Sequence, residues 1–360
     1  MRIAISTGGG DAPGLNAVIR GAVLAAINRG WSAYGIQKGF GGLIGEDRVV
    51  SLARNDVRGI THLGGTILGT TNRGDPFHWP VRQPDGSVVE VDRSDDVLAA
   101  FQAHGFDALI TIGGDGSLRI AQKLHQKGLA VVGVPKTIDN DVSGTVMTFG
   151  FDTAVSTATD ALDKLHSTAE SHERVMVVEV MGRYAGWIAL NSGVSGSADV
   201  ILIPEIPYDI DSVCRKILER EARGRRFSIV VVAEGAVAKD GRRVLKGKAA
   251  VGGGMERLGG VAAEVAAAIE QRTGKETRTL TLGHLQRGGS PTTFDRLLSL
   301  RFGAAAVRLV AERRFGMMVA LNPPSITAVP FSEALAQPKL VPLDSDTVLT
   351  AREIGVCLGD

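Results

Sequence analysis

Short apolar runs alternate along this chain with longer amphipathic stretches. Runs rich in β-branched residues, such as RIAIS, ALITI and RVMVVEV, are each followed by glycine or polar residues and then by a helical pattern. Short β-branched runs predict buried strands, whereas apolar residues at three- and four-residue spacing predict helices. Strands that alternate with helices predict βαβ units, so we expect an α/β fold with parallel sheets and helices on both faces.

Three further patterns refine this prediction. The segment TFGFDTAVSTATDALDKLHSTA predicts a long helix, because Ala154, Ala158, Ala161, Leu162 and Leu165 fall on one face. The segment from Arg73 to Asp92 contains a Pro-Asp-Gly turn signal between alternating residues and predicts a surface loop with a small hairpin. The signal VAKDGRRVL predicts a second hairpin.

Composition narrows the class of protein. The chain has 360 residues, 44% hydrophobic and 22% charged, with a formal net charge of +1, which is typical of a globular protein of about two domains. This charge favours neither nucleic acid nor anionic membranes as partners. The two cysteines, Cys214 and Cys357, are too far apart for a disulfide framework or metal-ligand spacing, which favours a reducing cytoplasm. No secretory signal or membrane-spanning stretch is expected.

Two glycine-rich turns are candidate phosphate sites. STGGGDAPG and TIGGDGS each follow a predicted strand and open a helix, where free N–H groups and the helix dipole favour phosphate. A carboxylate repels a bare phosphate, so we expect Asp115 in the second turn to bind Mg²⁺ carried by a nucleotide. The alternative is a tight turn that caps a helix. The sequence contains neither a P-loop pattern nor the G-x-G-x-x-G pattern of dinucleotide sites.

The segment GVPKTIDNDV follows the apolar run Leu129 to Val134. A carboxylate at the exit of a buried strand beside a phosphate site can accept the proton of an attacking hydroxyl, which is the role expected of Asp139. Asp141, two residues on, can orient Asp139 or reach the metal, while Asn140 would point elsewhere in an extended backbone. An Asx-rich turn that caps a helix is the alternative.

Arginines near the ends of later predicted strands form a third candidate group. Arg174 and Arg183 flank VMVVEVMG, and Arg278 and Arg287 flank TLTLGHLQ, which also contains His284. Arginine suits bidentate recognition of phosphate. Solvated surface arginines and a histidine in the core are the alternatives.

Several of these motifs together identify a family resemblance over most of the chain. GGGDAPGLNAVIRG, GGTILGTTNRGDPF, GGDGS, PKTIDND, RVMVVEVMGRYAGW, AEG and TLGHLQRGGSP resemble, in this order, motifs of phosphofructokinases. The resemblance implies phosphoryl transfer to the 1-hydroxyl of fructose 6-phosphate. It also implies two Rossmann-like parallel-sheet domains that face each other across an active-site cleft. We predict a donor domain of residues 1–150 plus about 286–336 and a sugar-phosphate domain of residues 151–285 plus about 337–360.

The resemblance implies a role for each matching residue. The implied catalytic residues are the general base Asp139 with Asp141, Thr137, Arg183 and Gly10. The implied donor site comprises Gly10, Arg73, Gly114, Asp115, Gly116, Ser117 and Lys136, with Asp115 as the Mg²⁺ ligand. The implied sugar-phosphate contacts are Thr137, Asp139, Arg174, Met181, Gly182, Arg183, Glu234, Arg278, His284 and Arg287. Since Arg174 and Arg278 correspond to residues that reach a neighbouring subunit, the resemblance implies a homodimer or homotetramer with shared active sites.

Two positions disagree about the phosphoryl donor. In the resembled family, a lysine at the position of Lys136 is typical of members that use pyrophosphate. Gly116, in contrast, leaves open the space that those members usually fill with aspartate. Steric exclusion is harder to evade than one flexible cation, so we predict ATP, with pyrophosphate as the alternative. A NAD or lipid kinase is a further alternative because such enzymes share the GGDG turn, but they lack PKTIDND combined with GHLQRGG. A non-catalytic sugar-phosphate-binding subunit is disfavoured by the presence of Asp115, Asp139 and Asp141.

Overall fold

The computed structural model describes residues 1–45, 48–241, 245–247 and 257–360. The strands are β1 (Arg2–Thr7), β2 (Ser32–Ile36), β3 (Val49–Leu52), β4 (Trp79–Arg82), β5 (Val88–Val91), β6 (Ala108–Gly113), β7 (Val131–Pro135), β8 (Val175–Val180), β9 (Val200–Leu202), β10 (Ser228–Ala233), β11 (Leu245–Gly247), β12 (Arg257–Leu258), β13 (Thr277–Thr281), β14 (Met317–Asn322) and β15 (Ser325–Pro330). The helices are α1 (Leu15–Ile27), α2 (Ser94–Ala103), α3 (Asp115–Gln126), α4 (Phe151–His172), α5 (Trp187–Ser195), α6 (Ile210–Ala222), α7 (Val261–Thr273), α8 (Thr293–Ala311), α9 (Phe331–Ala334) and α10 (Asp346–Glu353).

The larger sheet has the strand order β15-β14-β7-β6-β1-β2-β3. Its inner pairs are parallel, and the edge strands β3 and β15 run antiparallel to their neighbours. Because β1 lies between β2 and β6, the strand order reverses there, and open α/β sheets bind ligands at such a reversal. The two glycine-rich turns follow β1 and β6, so the topology places them side by side at this crevice.

Side-chain alternation along the strands explains why helices cover both faces of this sheet. Ile3 and Ile5 pack in the core that includes residues of α1 and α8, whereas Ala4 packs with residues of α2 and α3 on the other face. All three side chains are fully buried. The period of two along β1 therefore requires a helical layer on each side.

The smaller sheet is entirely parallel, in the order β13-β8-β10-β9. On β8, Val178 and Val180 face the core that α4 and α5 cover, and Val175 and Val177 face the core with α6 and α7. The long helix predicted after residue 150 is confirmed as α4, whose Ala154, Ala158 and Leu162 are fully buried. The predicted α/β class with two helix-covered sheets is confirmed, although the edge strands β3 and β15 are antiparallel to their neighbours.

Later segments return to the two sheets in turn. Helix α8 packs on α1, and β14 pairs with β7, so this part of the chain joins the larger sheet. Helix α10 packs on α5, and Cys357 bridges Val200 in the smaller sheet. The exact domain limits given above stay a prediction.

The hairpin predicted between Arg73 and Asp92 is confirmed as β4 and β5, which pair antiparallel around the Pro-Asp-Gly turn. The other predicted hairpin, VAKDGRRVL, includes residues 242–244, which lie outside the described residues. In the part of the chain that the structure describes, no helix combines the length and apolarity needed to cross a bilayer.

Candidate active site

The two glycine-rich turns lie against each other, with Ser117 between them. The Gly8 amide donates to the Ile112 carbonyl at 3.0 Å, which links the end of β1 to β6. A Cβ on Gly8 would lie 2.6 Å from Ser117 Oγ, and a Cβ on Gly113 would lie 2.3 Å from Ser117 Cβ. Glycine at Gly113 is required for this close approach, because the contact there is with Ser117 Cβ, whereas a side chain at Gly8 would force the Ser117 hydroxyl to move.

The start of α3 provides open space beside these turns. Gly114 precedes the helix, which begins at Asp115. Gly116 is exposed, and no atom lies within 4 Å of the position that its Cβ would occupy. The unpaired amides and positive dipole at this end of α3 favour an anionic group in that space.

Asp115 is suited to bind a cation whose other ligands come from outside the protein. Its Oδ2 accepts a hydrogen bond from Arg119 Nε at 3.0 Å, and both side chains are about half exposed. Its negative charge is also one of the causes that raise the pKa of Asp141. Among the described residues no group of three histidine, cysteine or acidic side chains could enclose a metal. An exposed carboxylate with room beside it fits Mg²⁺, which keeps several waters and binds through few protein ligands.

Lys136 connects the segment after β7 to both glycine-rich turns. Its amide donates to the Gly113 carbonyl at 2.9 Å, and its ammonium donates to the Gly10 carbonyl. The residue is 3% exposed, and burial, followed by the charge of Arg287, lowers the pKa of Lys136 to about 8. Lys136 therefore belongs to the site and supports the first turn directly.

Asp139 is a buried carboxylate surrounded by cations. It is 3% exposed, and its Oδ1 has no hydrogen-bond partner among the described residues. Burial raises its pKa, while Arg287, Arg183 and Lys136 act in the opposite direction. A carboxylate with raised basicity and one free oxygen can accept a proton from a ligand.

Asn140 does not adopt the extended backbone predicted for it. Its φ is 52°, in the left-handed region, and the Thr148 amide donates to its Oδ1 at 3.1 Å. The prediction was wrong because a buried amide that satisfies Thr148 stabilises a tight turn, and asparagine tolerates this backbone better than most residues. The turn brings Asp139 and Asp141 close together, so burial and the charge of Asp139 raise the pKa of Asp141 to about 6.

The carboxyl ends of the smaller sheet supply the opposite side of the site. Met181, Gly182 and Arg183 follow β8, and Glu234 follows β10. The Arg183 amide donates to Glu234 Oε1 at 3.2 Å. Burial, with the charge of Asp139 second, raises the pKa of Glu234 to about 7. The influence of Asp139 on Glu234 indicates that the two sides meet across one cleft.

Arg287 and Arg73 approach the first glycine-rich turn. Arg287 Nη1 donates to the Asp11 carbonyl at 3.1 Å, and a Cβ on Gly10 would lie 3.0 Å from the same nitrogen. Arg73 is exposed and lies two residues beyond Thr71, whose carbonyl accepts from the Gly9 amide at 3.1 Å. His284 is exposed on the short 3₁₀ turn Gly283–Arg287.

Arg174 and Arg278 lie at the amino-terminal ends of strands in the smaller sheet, opposite the carboxyl ends that face the site. Arg174 precedes β8 and Arg278 is near the start of β13, and both pair with Glu276, at 2.8 Å from Arg174 Nη2. Since Met181 follows the far end of β8, the strand separates the two groups by about 20 Å at a rise of about 3.3 Å per residue. The structure therefore does not bring these two arginines to the cleft of their own chain.

A family model described as Phosphofructokinase matches residues 2–310. The chain belongs to the phosphofructokinase family. An ATP-dependent 6-phosphofructokinase from Chloroflexus aggregans is 51% identical over 360 residues, which cover 100% of this chain and 98% of the relative. ATP-dependent 6-phosphofructokinase 2 from Clostridium perfringens is 47% identical over 361 residues, which cover 100% of this chain and 98% of the relative.

Solved phosphofructokinase structures share the fold. The Pichia pastoris enzyme in the T-state superposes with a TM-score of 0.80 at 33% identity over 98% of this chain, which spans only 36% of the Pichia chain. A pyrophosphate-dependent phosphofructokinase from Marinobacter aquaeolei superposes with a TM-score of 0.80 at 21% identity, covering 100% of this chain and 92% of the other. At that identity the likeness shows the fold alone.

The phosphofructokinase motifs do not include Lys339, which the sequence reasoning missed. Its ammonium donates to Asn140 Oδ1 at 3.0 Å, directly behind the turn that carries Asp139 and Asp141. A lysine after proline in an irregular segment gives no sequence signal for such a contact. Only the return of the chain to the cleft after α9 brings it there.

Proposed function

We propose that this chain is an ATP-dependent 6-phosphofructokinase that phosphorylates fructose 6-phosphate at its 1-hydroxyl. The observation that carries the proposal is the buried Asp139 carboxylate, with one oxygen free, between the glycine-rich turns and the arginines of the opposite sheet. The identity of about half of the residues to enzymes named ATP-dependent 6-phosphofructokinase supports the same reaction.

Asp139 acts as the general base in this proposal. The 1-hydroxyl donates its proton to Asp139 as its oxygen bonds to the γ-phosphorus, while the bond from that phosphorus to the bridging oxygen of ADP breaks. Burial raises the pKa of Asp139 and so makes it a stronger proton acceptor. Asp141 and Thr137 keep it oriented, since Thr137 Oγ1 accepts from the Asp139 amide at 3.0 Å.

Cations and amides stabilise the charge that develops on the transferred group. Arg183 and Arg73 are proposed to neutralise its equatorial oxygens, and the Gly10 amide to donate to one of them. Such groups are held in place before the reaction, so no reorganisation accompanies transfer. Lys136 maintains the position of Gly10 through its bond to the Gly10 carbonyl.

Asp115 is the residue proposed to hold Mg²⁺ bound to the phosphates of ATP. The ion would neutralise charge on the leaving group. Gly114, Gly116 and Ser117 line the same space and supply backbone amides and a hydroxyl to the donor.

The sugar phosphate is proposed to lie against the smaller sheet. Glu234 accepts from a sugar hydroxyl, and Arg287 and His284 contact the 6-phosphate. Met181 and Gly182 shape the wall between them. The hydrogen bond from the Arg183 backbone amide to Glu234 supports this arrangement because it places the proposed sugar contact beside the residue proposed to neutralise the transferred group.

Open space at Gly116 favours ATP over pyrophosphate. A nucleotide needs room for its α-phosphate, and no atom lies within 4 Å of the Cβ position there. The Lys136 ammonium donates to the Gly10 carbonyl, so it stabilises the first glycine-rich turn in addition to any contact with a phosphate. We therefore interpret Lys136 as a support of the donor site that is compatible with ATP.

The first experiment compares kcat/KM for ATP and for pyrophosphate at saturating fructose 6-phosphate with Mg²⁺. We expect ATP to exceed pyrophosphate at least about tenfold, a difference of about 1.4 kcal/mol in transition-state stabilisation. A preference for pyrophosphate would overturn the donor assignment. Phosphorylation of NAD or a lipid, with none of fructose 6-phosphate, would overturn the proposed substrate.

We also infer that active sites are shared between subunits. Arg174 and Arg278 lie about 20 Å from the Met181 end of β8, which supports a role in the 6-phosphate site of a neighbouring copy. Co-expression of Asp139→Asn with Arg278→Ala tests this, because each variant is expected to be nearly inactive alone. Random mixing in a dimer should restore about a quarter of native activity. Activity no higher than in the two separate variants would refute shared sites.

A further inference from the structure

The segment 337–341, called the C-terminal strap here, lies between the two sides of the cleft. Its Gln337 carbonyl accepts from Ser143 Oγ at 2.8 Å, which joins it to the segment after β7. The Val341 amide donates to Glu205 Oε1 at 2.9 Å, and the same carboxylate accepts from the Gly186 amide at 3.0 Å. The strap therefore bonds to the segment after β7 at one end and, through Glu205, is linked to the loop that carries Arg183 at the other.

Lys339 is the centre of the C-terminal strap. Its ammonium donates to Asn140 Oδ1 at 3.0 Å, to the Thr145 carbonyl at 3.1 Å and to the Val146 carbonyl at 2.6 Å. An ammonium has three protons, so these bonds use its full donor capacity. All three acceptors belong to one short segment, which a single cation thus draws together.

The backbone of Lys339 also makes hydrogen bonds, and its ammonium lies over an aromatic ring. Its amide donates to the Asp141 carbonyl and its carbonyl accepts from Trp187 Nε1, each at 2.9 Å. The ammonium lies 5.1 Å from the centre of the Trp187 ring, a favourable cation–π distance. Burial lowers the pKa of Lys339 to about 8, while the charge of Asp141 opposes this shift.

The turn held by Lys339 has a backbone that needs support. Asn140 is 2% exposed with φ 52°, a conformation that costs energy for a residue other than glycine. Its Oδ1 accepts from both the Thr148 amide and Lys339, so the two donors keep the amide in one orientation. Because Asp139 and Asp141 flank Asn140, rotation of this residue would move both carboxylates.

We propose that Lys339 is a positioning residue, which holds the Asn140 turn from behind so that Asp139 stays aligned with the attacking hydroxyl. Lys339 does not touch the reacting atoms in this proposal. Its kinetic part rests on the proposed phosphofructokinase function, whereas its structural part concerns the turn alone. A misplacement of about 1 Å in a catalytic group can cost about 10²-fold in rate, which sets the scale of the expected effect.

The test uses the full chain with three variants. Lys339→Met keeps the apolar stem and removes the ammonium, and Lys339→Arg restores a charged donor. Lys216→Met is the matched control, since Lys216 is also half-buried and donates to one backbone carbonyl, that of Gly355, at 2.6 Å on the far side of the smaller sheet. Each protein is assayed for kcat and for KM with ATP and fructose 6-phosphate, for Tm, and for hydrogen exchange of peptides that cover residues 137–148.

The expected result is a fall in kcat of about 10- to 100-fold for Lys339→Met, with both KM values within about threefold of native. Exchange should increase in residues 137–148 and not in β10, Lys339→Arg should recover most of kcat, and Lys216→Met should match the native enzyme. Unchanged kcat in Lys339→Met overturns the proposal. The proposal is also overturned if Lys339→Met loses activity together with a large general decrease in Tm. It is overturned as well if Lys339→Arg does not recover the lost activity.

Hydrogen exchange separates this proposal from the proposed function. If the native chain fails to phosphorylate fructose 6-phosphate, the function is wrong, and exchange still decides whether Lys339 holds the turn. Faster exchange in residues 137–148 of Lys339→Met then supports the positioning role. Unchanged exchange there overturns it, whatever the substrate.

Discussion

Replacing Gly116 with aspartate tests whether open space at the start of α3 selects ATP. No atom lies within 4 Å of the Cβ position, so the new side chain meets no steric obstacle within the protein. Aspartate in the first turn of α3 also interacts favourably with the helix dipole, by about 0.3–1 kcal/mol. The variant should therefore fold normally, with a Tm equal to or slightly above that of the native protein.

The expected loss with ATP follows from the charge that the variant places beside the donor. Two like charges about 4 Å apart repel by about 1 kcal/mol in water and about 4 kcal/mol at an effective dielectric constant of about 20. Gly116 is exposed, so an intermediate value of about 1.5–3 kcal/mol applies. This range corresponds to a fall of about 10- to 150-fold in kcat/KM for ATP.

The assay measures kcat/KM for ATP and pyrophosphate in the native chain and in Gly116→Asp, Gly116→Asn and Gly116→Ala. Pyrophosphate lacks the α-phosphate and should lose less than ATP in the aspartate variant. Gly116→Ala adds only a methyl group to empty space and should stay within about threefold of native, and Gly116→Asn separates shape from charge. If Gly116→Asp folds normally and its kcat/KM for ATP stays within about threefold of native, the reasoning from space and charge is refuted.

Three further predictions concern other residues of the cleft. Asp139→Asn should lower kcat by about 10²–10⁴-fold, with little change in KM for fructose 6-phosphate, because it removes the general base; a loss confined to KM in steady-state assays would contradict this role. Lys136→Met should lower kcat/KM for ATP by about tenfold or more, since a charge-assisted hydrogen bond to the Gly10 carbonyl contributes about 1.5–3 kcal/mol; unchanged kinetics would show that the turn does not need this bond. Burial raises the pKa of Glu234 in the folded protein to about 7, above its value of about 4.3 in the unfolded chain. This difference stabilises the folded state fully below about pH 4.3, and the stabilisation is lost as the pH rises through about 7. Glu234→Gln should therefore flatten the decrease in Tm over this interval, and a parallel pair of Tm curves would exclude the raised pKa.

The fold and the core of the site were predictable because their signals are local. The apolar run before Lys136 predicts a buried strand, and β7 ends at Pro135 as that pattern requires. The glycine-rich turns follow β1 and β6 for the same reason, and parallel strands then bring their carboxyl ends to one edge. The spacing of Asp139 and Asp141 indicated a pair of nearby carboxylates, although the backbone between them differs from the prediction.

Other features depend on contacts that sequence spacing does not encode. The conformation of Asn140 is set by Thr148 and Lys339, which lie 8 and 199 residues away along the chain. Arg174 and Arg183 both stand near ends of β8, but only the strand direction tells which end faces the cleft. Residue type and position at a strand end do not separate these two arginines, and only the family resemblance implied that Arg174 serves a neighbouring subunit.

By itself the sequence determined the α/β class and the strand-to-turn motifs, because periodicity and turn chemistry act over a few residues. The proposed chemistry of the site came from the family resemblance. Only the tertiary structure decided that Lys136 supports Gly10, that Arg174 and Arg278 lie away from the cleft of their own chain, and that Lys339 bonds to the Asn140 turn. These arrangements arise when distant segments are buried together, since each buried charge then requires a polar partner wherever the fold provides one.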